Sequence, residues 1–294
     1  MAMRSPSGHA DDGGKAQRVV PTGSGRDNQS VMDRDTLRSM SRFDRFLGLA
    51  RSMAIYHGIA GRHRRLRKLY AGFVARGDLV FDVGAHAGNR ARAFASLGCR
   101  VVALEPQPDF ARVLRTLFTH NSKVIVVEAA VSNSAGQATL ALSERTPTVT
   151  TLAEHWREAR AKEEGFKGVQ WNRRIEVETT TLDRLIVRYG APTFVKIDCE
   201  GSEAAVLAGL TQAVPALSFE FLPWTLEEAD ACVARLKKVG QYEFNWSKGE
   251  TNQLASDRWL NDREVLAALR TPEAQRRAGD VYARLPHDGQ RRVR

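Results

Sequence analysis

The apolar positions change rhythm three times along the chain. Residues 1–36 carry Gly, Ser, Asp and Asn with almost no apolar run. Such a segment cannot offset the entropy of ordering, and it predicts a disordered tail. From Phe43 the spacing is helical: Phe43, Phe46, Leu47, Ala50, Met53 and Ala54, then Leu66, Leu69, Tyr70, Phe73 and Val74. Each set makes one apolar stripe, with Arg62, Arg65 and Lys68 largely on the other side. This predicts a basic helical extension over 37–76. From Asp78 the segments become short and alternate in type. Leu79-Val80-Phe81 reads as a strand, Ala91–Leu97 as a helix and Arg100–Leu104 as a strand. Pro108–Phe118 reads as a helix and Lys123–Val127 as a strand. A β-α-β-α-β succession with short connections predicts a parallel, doubly wound sheet.

The second half repeats the pattern after an interruption. Ala138–Leu142 reads as a short strand beyond Gly136. Residues 143–174 are polar and read as an insertion. Ile175–Thr180 follows as a strand and Leu182–Val187 as a short helix. Phe194–Ile197 and Ala216–Phe221 read as buried strands, each followed by a helix, Ser202–Ala208 and Leu226–Val239. Tyr242–Trp246 and Gln253–Ala255 suggest a closing antiparallel hairpin. Asn261–Leu269 reads as a last helix, and 271–294 as a frayed basic tail. The main domain is therefore expected over 77–270.

Composition changes this picture little. The 294 residues are 43% hydrophobic and 27% charged, which is ordinary globular usage. Cys99, Cys199 and Cys232 form no C-x-x-C pair, so neither a disulfide framework nor a four-cysteine zinc site is available. With no apolar leader at the start, a reducing, cytoplasmic location is expected. The net charge of +10 is unevenly spread. Residues 42–76 carry net +8, while 77–269 carry net −3. A basic flank can touch an anionic surface weakly. The acidic centre predicts no stable nucleic-acid partner.

Three motifs carry candidate chemistry. In Asp82-Val83-Gly84-Ala85-His86-Ala87-Gly88, a glycine loop joins the first strand to a helix. Such loops face ligands beyond the carboxyl ends of an open α/β sheet. The spacing is D-x-G-x-x-x-G, and His86 stands where a dinucleotide loop would have its middle glycine. A side chain there would crowd a pyrophosphate. Glu105 ends the second strand, 21 residues after Gly84. A carboxylate at that place can accept the hydroxyls of an adenosine ribose. The third motif, Lys196-Ile197-Asp198-Cys199-Glu200-Gly201-Ser202-Glu203, sets three carboxylates within six residues at a strand end. Crowded carboxylates need a cation, a donor or a proton. Ser202 reads as a helix cap, and Glu203 as a charge favoured by the helix dipole. No metal is expected, because no histidine or second carboxylate cluster stands nearby in sequence.

The blocks V-F-D-V-G-A-H-A-G (80–88), A-L-E-P (103–106) and V-K-I-D-C-E-G-S-E (195–203) together resemble the FkbM family of S-adenosylmethionine-dependent methyltransferases. Glu128–Gly136, Thr181-Leu182-Asp183 and Ser218-Phe219-Glu220 support the likeness, which spans about 77–246. Cys199 and the 143–174 insertion depart from the pattern. The resemblance implies a Rossmann-like seven-stranded class I methyltransferase fold, with one antiparallel strand entered by the last hairpin. It implies S-adenosyl-L-methionine as cofactor and methyl transfer to a hydroxyl of a sugar, glycan or secondary metabolite. By resemblance, Asp82, Gly84, His86 and Gly88 frame the methionine part, and Glu105 holds the ribose. Glu128, Ala129 and Ala130 border the adenine, and Asp198 faces the sulfonium.

An alcohol acceptor needs a base within hydrogen-bond reach, and Asp198, Glu200 and His86 are the candidates. Cys199 reads as a small buried thiol. His57 and His155 read as surface or core residues. The competing readings are a nucleic-acid methyltransferase using the basic flank, an NAD-dependent oxidoreductase and a non-catalytic binding module.

Overall fold

The computed structural model describes residues 59, 61–143 and 173–286. The 1–36 tail, the Phe43–Ala54 helix, His57, His155 and residues 144–172 of the expected insertion lie outside the described residues.

A seven-stranded sheet forms the centre. Its strands are β1 (Leu79–Val83), β2 (Arg100–Leu104), β3 (Val124–Val127), β7 (Phe194–Ile197), β8 (Ala216–Phe221), β9 (Glu243–Lys248) and β10 (Gly279–Arg284). They lie in the order β3-β2-β1-β7-β8-β10-β9. The first five run parallel, and β10 lies antiparallel to both β8 and β9. This is the seven-stranded, mostly parallel arrangement expected from the sequence. A smaller sheet, β4-β6-β5, is built from Ala130–Val131, Arg173–Thr180 and Gly136–Leu142. Arg173 and Arg174 thus belong to a strand and not to an insertion.

Among the described residues, seven α-helices cover the main sheet: α1 (Arg62–Tyr70), α2 (Asn89–Ser96), α3 (Pro108–Leu117), α4 (Leu182–Tyr189), α5 (Glu203–Ala208), α6 (Leu226–Val239) and α7 (Asp262–Leu269). Alternation along each strand sorts its side chains between two faces. Phe81, Val195, Ile197, Leu217, Phe219 and Val281 meet Leu185, Val206, Val233 and Val265 from α4 to α7 in one core. Val80, Phe194 and Tyr282 meet Leu66, Tyr70, Phe94 and Leu114 from α1 to α3 in another. The stripe expected to continue to Val74 is helical only to Tyr70. The chain turns at 71–73, yet Val74 stays buried against the same core.

Gly279–Arg284 is no frayed tail but an inner strand between β8 and β9. The expected Tyr242–Trp246 hairpin with Gln253–Ala255 does not form. Ala255 N–H donates to the Trp246 carbonyl at 2.7 Å, but no ladder follows. The partner of β9 is β10, reached only after α7. The short polar-apolar run of 279–284 is hidden in sequence because Asp280 and Arg284 read as exposed groups, whereas Asp280 is buried.

Candidate active site

The carboxyl edge of the sheet gathers residues from six strands. β1 lies between β2 and β7, so the chain departs in opposite directions on its two sides. That is where an open α/β sheet offers a crevice. Here β1 runs into the glycine loop. Gly84 has φ 77°, and a Cβ on it would stand 1.8 Å from the Asp198 carbonyl oxygen. The loop therefore packs against the end of β7 in a way only glycine permits. Gly88, φ 77°, begins α2, and a Cβ there would come within 2.7 Å of Leu114.

Glu105 is buried just beyond β2. One carboxylate oxygen accepts the His86 backbone N–H at 2.8 Å and the other accepts that of Gln107 at 2.8 Å. These bonds aim the group and join the glycine loop to β2. Burial raises its pKa to about 7, against the pull of those two amides. A carboxylate oxygen accepts two bonds, so each retains acceptor capacity. His86 itself has φ 46°, and its ring centroid lies 3.9 Å from that of Phe110. Burial lowers its pKa to about 4, so the imidazole is neutral and weakly basic near pH 7.

Glu128 follows β3, and its carboxylate pairs with Arg115 at 2.7 Å. Ala129 and Ala130 are buried behind it.

At the centre of the edge, strand register lines up polar side chains on the face shared with α1 and α2. Asp82, Lys196, Ser218 and Tyr282 stand opposite one another on β1, β7, β8 and β10. Further toward the edge, Glu220 stands opposite Asp280, with Asp198 just past the end of β7. Lys196 is wholly buried. Its ammonium lies 2.9 Å from Asp280 and 3.4 Å from Asp198, and donates to the Ile197 carbonyl at 3.0 Å. Burial disfavours its charge, but the two carboxylates outweigh that and raise its pKa. Arg90 on α2 adds a guanidinium 3.7 Å from Asp280 and 3.9 Å from Asp198. Burial alone would raise the Asp280 pKa, yet Lys196 and Arg90 hold it below the ordinary value. Asp82 is 1% exposed, and its Oδ2 has no hydrogen-bond partner. Burial raises its pKa to about 6, with Arg90 and Lys196 opposing.

The 198–203 turn is braced differently from expectation. Ser202 makes no side-chain cap bond. Instead Glu203, at the first turn of α5, accepts the Cys199 N–H at 2.7 Å and the Gly201 N–H at 3.0 Å. This holds Glu200 at φ 51°. The partly buried Cys199 packs against the main core, and burial pushes its thiol pKa up, which suits an inert thiol.

Carboxylate oxygens of Asp198, Glu200 and Glu220 come within 4.8 Å of one another. Glu220 is distant from the 198–203 block along the chain, and pairing of β7 with β8 brings it in. Burial, with the Glu200 and Asp198 charges, raises the Glu220 pKa well above the ordinary range. The fold thus brings together Asp82, Gly84, His86, Gly88, Glu105, Asp198 and Glu200, all expected here. It adds Arg90, Lys196, Glu220 and Asp280. Of these, Lys196 and Glu220 were visible inside quoted motifs, but Arg90 and Asp280 carried no local signal.

Among the described residues no helix is long and apolar enough to cross a membrane.

No curated protein matches the chain. Solved structures similar to it include a precorrin-6y C5,15-methyltransferase from Geobacter metallireducens, with 14% identity and a TM-score of 0.39 over 76% of this chain and 86% of that one. A TehB-like SAM-dependent methyltransferase from Corynebacterium glutamicum has 10% identity and a TM-score of 0.44 over 85% and 100%. A SAM-dependent O-methyltransferase from Thermotoga maritima has 12% identity and a TM-score of 0.38 over 79% and 67%. Residues 82–251 match the family described as "Methyltransferase FkbM domain". That match begins at the aspartate of the glycine loop, runs through Glu105 and the 195–203 block to the end of β9, and covers more than half of the sequence: the chain belongs to the FkbM methyltransferase family.

Proposed function

We propose that the protein transfers a methyl group from S-adenosyl-L-methionine to a hydroxyl of a sugar, glycan or secondary metabolite. Membership of a methyltransferase family supplies the reaction class. The observation that carries the cofactor reading is the orphaned Oδ2 of Asp82, buried beside the glycine loop. A buried carboxylate oxygen with no donor fits a ligand's ammonium group. Glu105, oriented by two backbone amides, fits a ribose diol, and Asp198 fits the sulfonium side. When bound, S-adenosyl-L-methionine supplies a methyl group on a positively charged sulfur that departs as a neutral thioether.

The chain's own residues then have three tasks. Asp82 and Glu105 fix the ends of the ligand, so that alignment does much of the catalytic work. Asp198 offers negative charge at the sheet edge, where its side chain is 25% exposed. A base must take the acceptor's proton. Asp198 and Glu200 are the candidates at the edge, with Glu220 beside them. His86, neutral with its ring on Phe110, fits orientation of Glu105 through its backbone better than proton transfer.

Calorimetry with S-adenosyl-L-methionine against NAD tests the cofactor, and binding of NAD alone would overturn the reading. A labelled-methyl screen over glycans, lipids and metabolite extracts tests the acceptor. Label confined to nucleic acid would overturn the hydroxyl-metabolite assignment.

A further inference from the structure

We infer that Asp280, on β10, is a positioning residue that sets how much negative charge Asp198 presents to a cationic cofactor. The inference rests on the S-adenosyl-L-methionine reading above. Asp280 lies 29 residues beyond the end of the family match. It reaches the site only because β10 enters the sheet beside β8.

Lys196 and Arg90 each stand within 4 Å of both Asp280 and Asp198. Lys196 is nearer Asp280, at 2.9 Å, than Asp198, at 3.4 Å. Arg90 is likewise nearer Asp280, at 3.7 Å against 3.9 Å. Asp280 is fastened further by the Tyr282 hydroxyl, which donates to it at 3.3 Å. The two carboxylates differ in access: the Asp280 side chain is 8% exposed and that of Asp198 is 25% exposed. A ligand at the sheet edge therefore meets Asp198, while Asp280 acts on it through Lys196 and Arg90. Lys196 and Arg90 also act on Asp82, so the cluster holds two cations against Asp82, Asp198 and Asp280. Without Asp280 the cluster loses one negative charge, and the two cations draw more fully on Asp198. A sulfonium beside Asp198 would then be held less strongly.

The test compares S-adenosyl-L-methionine with S-adenosylhomocysteine, whose sulfur is neutral, by calorimetry on the full chain. Asp280→Asn should weaken the first by about ten-fold more than the second. Arg90→Met removes a cation from the same cluster and should shift the ratio the other way. If Asp280→Asn fails to fold, Arg90→Met alone decides. Equal loss of both ligands in Asp280→Asn, or an unmoved ratio in Arg90→Met, overturns the inference and leaves the cofactor reading standing. Wild-type protein that binds neither ligand brings down the cofactor reading and the inference with it.

Discussion

Gly84 and Asp198 meet backbone to backbone, with the Asp198 carbonyl oxygen where a Gly84 side chain would begin. Next to this contact, the Asp198 N–H donates to the Val83 carbonyl at 3.0 Å, so the glycine loop and the β7 turn form one packed edge. Gly84→Ala must separate them and also hold an alanine at φ 77°. We expect a loss of about 1–3 kcal/mol in a denaturant melt, together with weakened cofactor binding. An unchanged midpoint and unchanged affinity would show that the edge opens without cost.

Glu105 serves the fold and the proposed ribose contact at once. Glu105→Ala leaves the His86 and Gln107 amides without their acceptor, at roughly 1–3 kcal/mol for each buried group. Glu105→Gln keeps the size and one acceptor oxygen. It should be the more stable of the two, yet bind S-adenosyl-L-methionine at least about ten-fold more weakly than wild type. Wild-type affinity in the glutamine variant would remove Glu105 from the ribose site.

Asp82 should make stability depend on pH in a defined direction. Burial raises its folded pKa from 3.8 to about 6. As pH rises through this interval, the unfolded chain loses the proton first. Stability therefore falls, and the penalty is complete above about pH 6. The interval corresponds to about 3 kcal/mol. Asp82→Asn lacks this term, so its stability relative to wild type should improve by about 2–3 kcal/mol between pH 3.5 and 7.5. Urea melts of both proteins across that range measure it. A constant difference would show that Asp82 does not carry a buried charge.

Truncation tests the place of β10. A chain ending at residue 286 keeps β10 and should unfold in one cooperative transition. A chain ending at residue 278 loses the strand between β8 and β9, and with it Asp280 and the buried Tyr282. It should show no cooperative transition and should aggregate through the bared strand edges. Circular dichroism and light scattering decide. A soluble, cooperative 278-residue chain would contradict the inner position of β10.

The elements that sequence determined are those whose signal is local. The βαβαβ succession from Leu79 to Val127 was legible because buried parallel strands are continuous apolar runs separated by helical periods. The glycine loop, Glu105 and the Asp198–Glu203 block were legible because each lies at a strand end and carries its residue types within a few positions. Tertiary structure alone decided the rest. Strand β10 is short and half polar, and its place is set by pairing with β8 and β9, which neighbouring residues do not encode. Glu203 turned from a dipole partner into a brace for Cys199 and Gly201 once the turn had closed on it. Asp280 and Arg90 became part of the site because register and helix packing bring charges from distant positions to within 4 Å of Lys196 or Asp198. Burial then changed what those charges do, since a carboxylate out of water must take a cation or hold its proton.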